Sequence, residues 1–378
     1  MFRTDEEIFQ EVIDMSLRFD CEDLPEIKEL VIGFNQNISD EARALHKSAV
    51  IIDACCFDMD GYSWHLKEGG VTALNVTIPS NRDGAESAVR NLADVNAIVA
   101  QTPELMPIET PDDILKAKET GKVGIIFGAQ SSEFVQHLDL DASVEVFRRA
   151  GLRVMQLCYS HRTYAADGCY TGANGGLTAD GKRLIDAMEK HGVTVDLSHV
   201  GDRSAMDALA YVKKPAILSH SNPRARFHHP RNVPDEVVKM CAETGGVVGV
   251  STYTVTLWDG KNFPTIDMVL DNIDYYVDLI GIDHVGIGTD SMITQGAYPR
   301  RDSVSISKSL RSVEGTSGLR FQSVAQGLGY RGMYVEGMQS MANFPNLIDG
   351  LLKRGYSEKD VRKIVGENWL RVFRETWL

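Results

Sequence analysis

Residues 193–221 read VTVDLSHVGDRSAMDALAYVKKPAILSHS, and the pattern of this stretch is the clearest indication of the fold. Two short β-branched runs, 193–200 and 215–221, each carry Ser-His near their ends, with a helix-like segment between them. Apolar runs of this length without alternation are typical of strands buried on both faces, as parallel strands are. A strand, a crossover helix and a second parallel strand form a βαβ unit. The stretch therefore predicts one repeat of an α/β fold.

The same unit recurs along the chain from residue 50 onward. Each further β-branched run is followed by Gly, Asp or Asn and then by an amphipathic stretch such as DEVVKMCAETG (235–245). Eight βα units favour a (β/α)8 TIM barrel, whose active site lies at the C-terminal ends of the strands. A doubly wound open sheet is the alternative, although the usual Gly-rich dinucleotide fingerprint does not follow the first run. The eight predicted strands are VIIDACCF (50–57), VTALNVTI (71–78), KVGIIFGAQ (122–130), VMQLCYS (154–160), VTVDLSHV (193–200), PAILSHS (215–221), GGVVGVSTY (245–253) and HVGIGTDS (284–291).

Two segments outside this repeat set the predicted domain organisation. Residues 1–49 form an N-terminal helical extension, because Ile8, Val12 and Leu17 recur at helical spacing. The barrel then occupies residues 50–378, with a long insertion around 292–342 between the eighth strand and its helix. This insertion is rich in Ser, Gly, Arg and Met. A segment of this length at the C-terminal end of a strand is interpreted as a lid or a dimer contact.

Composition excludes several classes of protein. The 378 residues include 39 Lys and Arg against 53 Asp and Glu, a net charge of −14, which argues against nucleic acid or an anionic membrane surface as the partner. No apolar run approaches the roughly 20 residues of a membrane span. The six cysteines form no CxxC pair, and the N-terminus lacks the charge pattern of a signal peptide. We predict a soluble, cytoplasmic protein with no membrane or nucleic-acid partner.

The barrel rule selects candidate functional residues, since polar side chains at strand C-termini converge on one mouth. His199, His220 and Asp290 come from the fifth, sixth and eighth predicted strands, and imidazole and carboxylate are the ligands of zinc or another divalent ion. Such an ion lowers the pKa of a bound water for hydrolysis. A structural role as strand-end polar residues is the alternative for the two histidines. The full selection is Cys55, Cys56, Asp58, Gln130, Tyr159, His161, His199, His220, Tyr253 and Asp290.

Two further roles follow from residue type and position. Asp290 is a candidate general acid or base, or alternatively the cap of a helix that follows it. Arg231, in the loop after the sixth strand, is placed to grip a substrate carboxylate through its planar guanidinium, or else forms a surface ion pair. The neighbouring His228 and His229 are interpreted as solvated loop residues rather than ligands.

Several of these stretches resemble the membrane dipeptidase (renal dipeptidase-like, M19) family of amidohydrolase-type barrels. The resemblance covers roughly residues 45–378. It implies a binuclear zinc barrel, usually a homodimer, that hydrolyses dipeptides with a hydroxide bridging the two ions. The best matches are GVTVDLSHVGDRS, PAILSHSNPRARFHHPRNVPDE, ETGGVVGVS, DHVGIGTDS and the C-terminal FPNLIDGLLKRGYSEKDVRKIVGENWLRVF.

The resemblance assigns roles to individual residues. His199 and His220 fall on the two histidines of the second metal position. Arg231 falls on the arginine that holds the substrate carboxylate, and Asp290 on the acidic residue beside the attacking water. The fourth-strand histidine falls near Tyr159, a tyrosine that some bacterial relatives share and that could donate to the developing oxyanion. Tyr253 is a candidate for substrate binding from its position at the end of the seventh predicted strand and not from the resemblance.

Other positions depart from the family pattern. Its first-strand His-x-Asp pair falls on Cys55 and Phe57, and its bridging glutamate falls on Gln130. A phenyl ring binds no metal, and a neutral amide bridges two cations poorly. Cys55 and Asp58 are candidate replacements, although Asp58 is one residue out of register unless a bulge turns it inward. Two ions, one ion at His199 and His220, or no ion thus remain open, and one ion per chain is the expectation.

The residues support one reading of function over two alternatives. We predict a metallodipeptidase-like hydrolase that cleaves a dipeptide or similar small amide with a free carboxylate. A protein of the same fold with cysteine-based or metal-free chemistry is the first alternative, and Cys55 and Cys56 would then supply the nucleophile. A protein that only binds a small acid is the second.

Overall fold

The computed structural model describes residues 32–59, 62–78, 84–257, 264–293 and 335–377. Most of the chain forms parallel strands alternating with helices, as predicted. The strands are β1 Ile52–Met59, β2 Ala73–Thr77, β3 Leu105–Pro107, β4 Val123–Ala129, β5 Leu152–Gln156, β6 Thr194–Asp196, β7 Val248–Val250, β8 Val285–Ile287 and β9 Ser291–Ile293. The helices are α1 Asp40–Ser48, α2 Trp64–Glu68, α3 Ala85–Gln101, α4 Pro111–Thr120, α5 Leu140–Arg149, α6 Ala179–His191, α7 Asp202–Leu209, α8 Asp235–Glu243, α9 Ile266–Ile280, α10 Phe344–Lys353, α11 Glu358–Arg362 and α12 Asn368–Thr376.

The parallel strands close into a ring. One sheet runs in the order β6-β5-β4-β2-β1-β9, with β3 beside the start of β4, and β7 pairs with β8. Single bridges join the two parts, because Ile217 pairs with Asp196 and Leu218 pairs with Val248. The ring closes where the Asp290 N–H donates to the Cys55 carbonyl at 2.9 Å. The predicted (β/α)8 barrel is therefore confirmed, and the open sheet is excluded.

Two predicted strands differ from the structure in detail, and one short strand was not predicted. The predicted strand 215–221 makes isolated bridges and forms no strand of its own. The predicted strand 284–291 is divided into β8 and β9, because Asp290 adopts a left-handed backbone with φ of 60°. The short β3 (Leu105–Pro107) was not predicted, since three residues carry too weak a periodic pattern.

A glycine explains how segment 215–221 fits into the ring. A Cβ built on Gly288, just after β8, would lie 1.9 Å from the Ser219 carbonyl oxygen. Any larger residue at 288 would therefore push out the main chain that immediately precedes His220. Glycine is required here for close approach of two backbones and not for a special φ.

We expect Gly288→Ala to destabilise the protein by about 2–3 kcal/mol, as overpacked cores do. Urea unfolding followed by circular dichroism measures this change. Gly172→Ala is the matched control, because a Cβ at exposed Gly172 meets nothing within 4 Å, and it should change stability by less than about 0.5 kcal/mol. Equal stability of the two variants would contradict the close-approach explanation.

The C-terminal helix covers the end of the barrel opposite the candidate site. Trp369 and Phe373 on α12 pack in one buried cluster with residues at the N-terminal ends of the strands, including Ile52 at the start of β1 and Val247 just before β7. A Cβ on Gly286 would lie 2.5 Å from the Trp369 indole, so this glycine makes room for the ring. Burial of such large side chains seals the bottom of the barrel with apolar surface and leaves the mouth at the other end for chemistry.

Parts of the predicted domain organisation lie outside the described residues. Residues 1–31 of the N-terminal extension are not described, whereas α1 (Asp40–Ser48) lies against α10. Residues 294–334, the greater part of the predicted insertion, also lie outside, so its role as lid or dimer contact stays a prediction. In the described ranges, no helix has the length and apolar character needed to cross a membrane.

Candidate metal centre

The candidate residues occupy the C-terminal mouth of the barrel. Cys55 lies within β1, Gln130 follows β4, His199 follows β6 and Asp290 lies between β8 and β9. His220 ends the bridging segment beside β7. His199 and Asp290 have φ values of 68° and 60°, a left-handed conformation that few non-glycine residues adopt and in which Asp and His are enriched. The backbone is thus shaped to turn these two side chains at the strand ends.

The two histidines face each other across the mouth. Their Nε2 atoms are 3.0 Å apart, and both side chains are buried. The Ser219 hydroxyl donates to Asp196 Oδ2 at 2.5 Å, so its oxygen accepts the Nδ1–H of His220 at 2.7 Å. With its proton held on Nδ1, His220 has a lone pair on Nε2, as a metal ligand must. In this structure that lone pair accepts a hydrogen bond from the Nε2–H of His199.

Both imidazoles are held in the neutral form. Burial, together with the positive charge of Arg231, lowers the pKa of His220 well below its usual range. Burial, Arg231 and His220 lower the pKa of His199 in the same way. Neutral imidazole is the form that binds metal, so these shifts remove the competition from protons.

A thiol and a carboxylate lie next to this pair. Ligand atoms of Cys55, His220 and Asp290 all lie within 4.8 Å of one another. The Cys55 Sγ donates to Asp290 Oδ1 at 3.7 Å, and Gln130 Nε2 donates to the same sulfur at 3.5 Å. Gln130 Nε2 also donates to Thr77 Oγ1 at 2.8 Å. Gln130 therefore faces the site as a neutral hydrogen-bond donor.

This donor set fits one divalent ion. Two imidazole nitrogens bound to one tetrahedral zinc ion lie roughly 3.3 Å apart, from Zn–N bonds of about 2.0–2.1 Å, which is close to the 3.0 Å seen here. Thiolate and carboxylate are further zinc ligands, and Cys55 and Asp290 supply both types beside His220. A second ion would need anionic ligands near Gln130, where the described residues offer a neutral amide.

Two buried aspartates that were not predicted hold the site residues in place. Asp53 accepts hydrogen bonds from the Cys55 N–H at 3.2 Å and from the Thr289 N–H and hydroxyl at 2.8 and 2.5 Å. Thr289 immediately precedes Asp290. Burial raises the pKa of Asp53 to about 7, although these hydrogen bonds act in the opposite direction. Asp53 thus ties β1 to the end of β8.

Asp196 makes the equivalent connection on the other side of the mouth. It accepts from the Ser198 N–H at 2.9 Å and from the Ser219 N–H at 3.1 Å, besides the Ser219 hydroxyl. Ser219 immediately precedes His220, just as Thr289 precedes Asp290. An aspartate inside a buried strand is unusual, and this signal could have identified Asp53 and Asp196 from the sequence.

Arg231 is buried at the mouth rather than exposed in a surface ion pair. Its Nη2 donates to the His220 carbonyl at 2.7 Å, and its Nη1 donates to Ser221 Oγ at 3.2 Å. These two contacts leave three of its five N–H groups unused by the described part of the chain. Arg231 thus supports the His220 main chain and keeps donors for an anion.

The other predicted positions have varied outcomes. The Tyr159 ring lies 4.2 Å from the His199 ring, and half-buried Tyr253 follows β7 at the same end of the barrel. Asp58 pairs with Met292 through the main chain, but its side chain lies outside the described residues. Asp290 precedes a strand, so the helix-cap alternative is wrong. The interpretation of His229 as solvated is also wrong: it is buried, and its Nδ1 accepts the Arg231 N–H at 3.2 Å.

A closed parallel barrel is the fold of the amidohydrolase-type barrels, and the histidine, cysteine and carboxylate side chains at its C-terminal mouth are of the types that bind metal ions. Comparison with known proteins gives the family. The chain belongs to the membrane dipeptidase family (peptidase family M19), whose model matches residues 40–298 and 305–377.

Individual relatives agree with this assignment. The chain is 28% identical over 269 residues to dipeptidase tcpJ of Claviceps purpurea, covering 70% of this chain and 53% of the relative. It is 25% identical over 305 residues to dipeptidase 3 of Mus musculus, covering 78% and 52%. The chain therefore spans about half the length of these curated relatives. Among solved structures, an amidohydrolase from Pseudomonas aeruginosa is 32% identical with a TM-score of 0.75, covering 89% of this chain and 99% of that one.

Proposed function

We propose that the protein is a metal-dependent hydrolase that cleaves a dipeptide or a similar small amide with a free carboxylate, using one divalent ion. The observation that carries this proposal is the 3.0 Å approach of the His199 and His220 Nε2 atoms, with the His220 proton held on Nδ1. Two buried neutral imidazoles in this arrangement form the core of a metal site. When bound, the ion supplies Lewis acidity, which polarises an amide carbonyl and makes a water more acidic.

Asp290 serves as the general base. It is half-buried beside Cys55 and His220, and its left-handed backbone turns it toward the mouth. A carboxylate there takes the proton of the attacking water and later returns it to the leaving nitrogen. The phenol of Tyr159, whose ring lies over His199, donates to the oxygen on which negative charge develops.

Arg231 binds the free carboxylate of the substrate, and Tyr253 lines the same end of the barrel. The unused N–H groups of Arg231 suit a planar carboxylate, which accepts two parallel hydrogen bonds from one guanidinium. Because Arg231 also donates to the His220 carbonyl, it sets the distance between the bound carboxylate and the metal site. This geometry favours short substrates with a carboxylate close to the scissile bond.

Cysteine-based chemistry is less well supported. Burial, with the charges of Asp290 and Asp53, raises the pKa of the Cys55 thiol well above its usual range. Nucleophilic cysteines have a lowered pKa and an adjacent cation. Without a metal, Cys55 is therefore held as a neutral thiol, which is a poor nucleophile.

Metal content provides the direct test of this function. We expect about one divalent ion per chain by plasma mass spectrometry on protein purified without added metal or chelator, and loss of dipeptide hydrolysis when a chelator removes it. Two ions per chain would overturn the one-ion site. No ion and no uptake on soaking would overturn the metal-dependent mechanism and favour ligand binding or cysteine chemistry. The homodimer and the cytoplasmic location stay predictions.

A further inference from the structure

We propose that Cys55 binds the ion as a thiolate, next to the His220 ligand and the Asp290 carboxylate. This inference rests on the proposed one-ion function and names its third protein ligand. Three protein ligands and one open position for water are the usual arrangement of catalytic zinc sites.

The position of the sulfur supports this role. The Cys55 Sγ lies within 4.8 Å of a His220 ring nitrogen and of an Asp290 carboxylate oxygen. Cys55 is 2% exposed at the inner end of the mouth, whereas Asp290 is half-buried and closer to solvent. The thiol is therefore the more buried of the two side chains, as suits a ligand that stays bound. The carboxylate is the more accessible of the two to water and substrate.

The neighbours of the sulfur suit a thiolate. Gln130 Nε2 donates to Cys55 Sγ at 3.5 Å and is itself held by Thr77 Oγ1 at 2.8 Å. An N–H donor stabilises a thiolate, whereas a carboxylate at position 130 would add a second negative charge beside the sulfur to that of Asp290. Cys55 and Gln130, two of the positions that depart from the family pattern, thus contact each other through this hydrogen bond.

Binding of the ion at the Cys55 sulfur replaces one bond with another. Binding breaks the S–H bond, forms an S–metal bond and releases one proton. Asp290 Oδ1, which accepts the S–H hydrogen bond at 3.7 Å, is placed to take this proton and pass it to water. No oxidant or reductant is needed, and a soft thiolate favours zinc or cobalt over magnesium or manganese.

Cobalt substitution tests the ligand directly. We expect the protein loaded with Co²⁺ to show a sulfur-to-cobalt charge-transfer band in the near ultraviolet. In Cys55→Ala the band disappears and zinc affinity falls at least a hundredfold, on the order of one ligand's share of a zinc site. In Gln130→Met the band remains and affinity falls about tenfold, as for loss of a hydrogen-bonded neighbour.

Cys56→Ala is the matched control, since Cys56 is the next residue of β1 and belongs to the buried apolar cluster. It should keep both the band and the affinity. A wild-type protein that binds one ion without the band would overturn the thiolate ligand and leave the proposed function intact. A protein that binds no ion would instead overturn the proposed function. Because the wild-type spectrum is decisive by itself, the test does not depend on a variant that folds.

Discussion

His220→Ala should abolish metal retention and leave the barrel folded. His220 offers Nε2 to the site, 3.0 Å from the same atom of His199, with Nδ1 fixed by Ser219. Structural zinc sites in small peptides are worth about 10–16 kcal/mol, so we expect the loss of one protein ligand here to cost roughly 3 kcal/mol, a hundredfold or more in affinity. Metal content by plasma mass spectrometry, and zinc affinity by competition with a chromophoric chelator, measure this loss. Hydrolysis should fall with the metal content.

His65→Ala is the matched control for this prediction. His65 is also buried, and its Nδ1 is also 2.8 Å from a serine hydroxyl, that of Ser340, but it lies at α2. Both variants lose a buried imidazole and a serine contact, so each should lose stability by about 1–3 kcal/mol. Only His220→Ala should lose metal. Wild-type metal content in His220→Ala, with native circular dichroism, would show that the ligand assignment is wrong.

Arg231→Ala should lower kcat/KM more for a substrate with a free carboxylate than for one without it. Removing a buried partner of a charged group costs about 2–5 kcal/mol, so kcat/KM for a dipeptide should fall at least thirtyfold. For the same dipeptide with an amidated C-terminus, which carries no charge, the fall should be several-fold. This smaller loss is expected for both substrates, because the variant also removes the hydrogen bond from Arg231 to the His220 carbonyl. The ratio of the two losses therefore measures the carboxylate contact.

Arg226→Ala supplies the control from the same loop. Its guanidinium is 40% exposed and pairs with Asp271 on α9, so its removal should leave both values of kcat/KM within about twofold. Equal losses on the charged and amidated substrates in Arg231→Ala would remove the carboxylate-binding role. The hydrogen bond to His220 would then be the main contribution of Arg231.

The sequence predicted much of the barrel because its strands are local features. Runs such as 122–130 are apolar and β-branched over enough residues to be recognised without their neighbours, and β4 (Val123–Ala129) follows this prediction closely. Segment 215–221 is also largely apolar, yet it forms only isolated β-bridges with its neighbours. Its pairing depends on how closely the Gly288 backbone approaches the Ser219 carbonyl, a contact between residues about 70 positions apart.

The candidate site divides in the same way. The motifs D-L-S-H and L-S-H on adjacent predicted strands, with the position of Asp290 at a strand end, were sufficient to select His199, His220 and Asp290 as candidates. The sequence left open whether Cys55 or Asp58 could replace the missing ligands. Only the folded chain places the Cys55 sulfur within 4.8 Å of His220 and Asp290, with Gln130 donating to it.

The hydrogen bonds that hold the site residues in place could be found only from the tertiary structure. Asp53 accepts hydrogen bonds from Thr289 and Asp196 accepts them from Ser219, so each aspartate holds the residue just before a candidate site residue in another part of the barrel wall. By itself the sequence determined the barrel, the family resemblance and the candidate histidines, because buried strands and short motifs are encoded by neighbouring residues. It could not determine ligand distances, the proton position on His220 or the burial of Arg231, because these depend on hydrogen bonds between residues far apart in the chain.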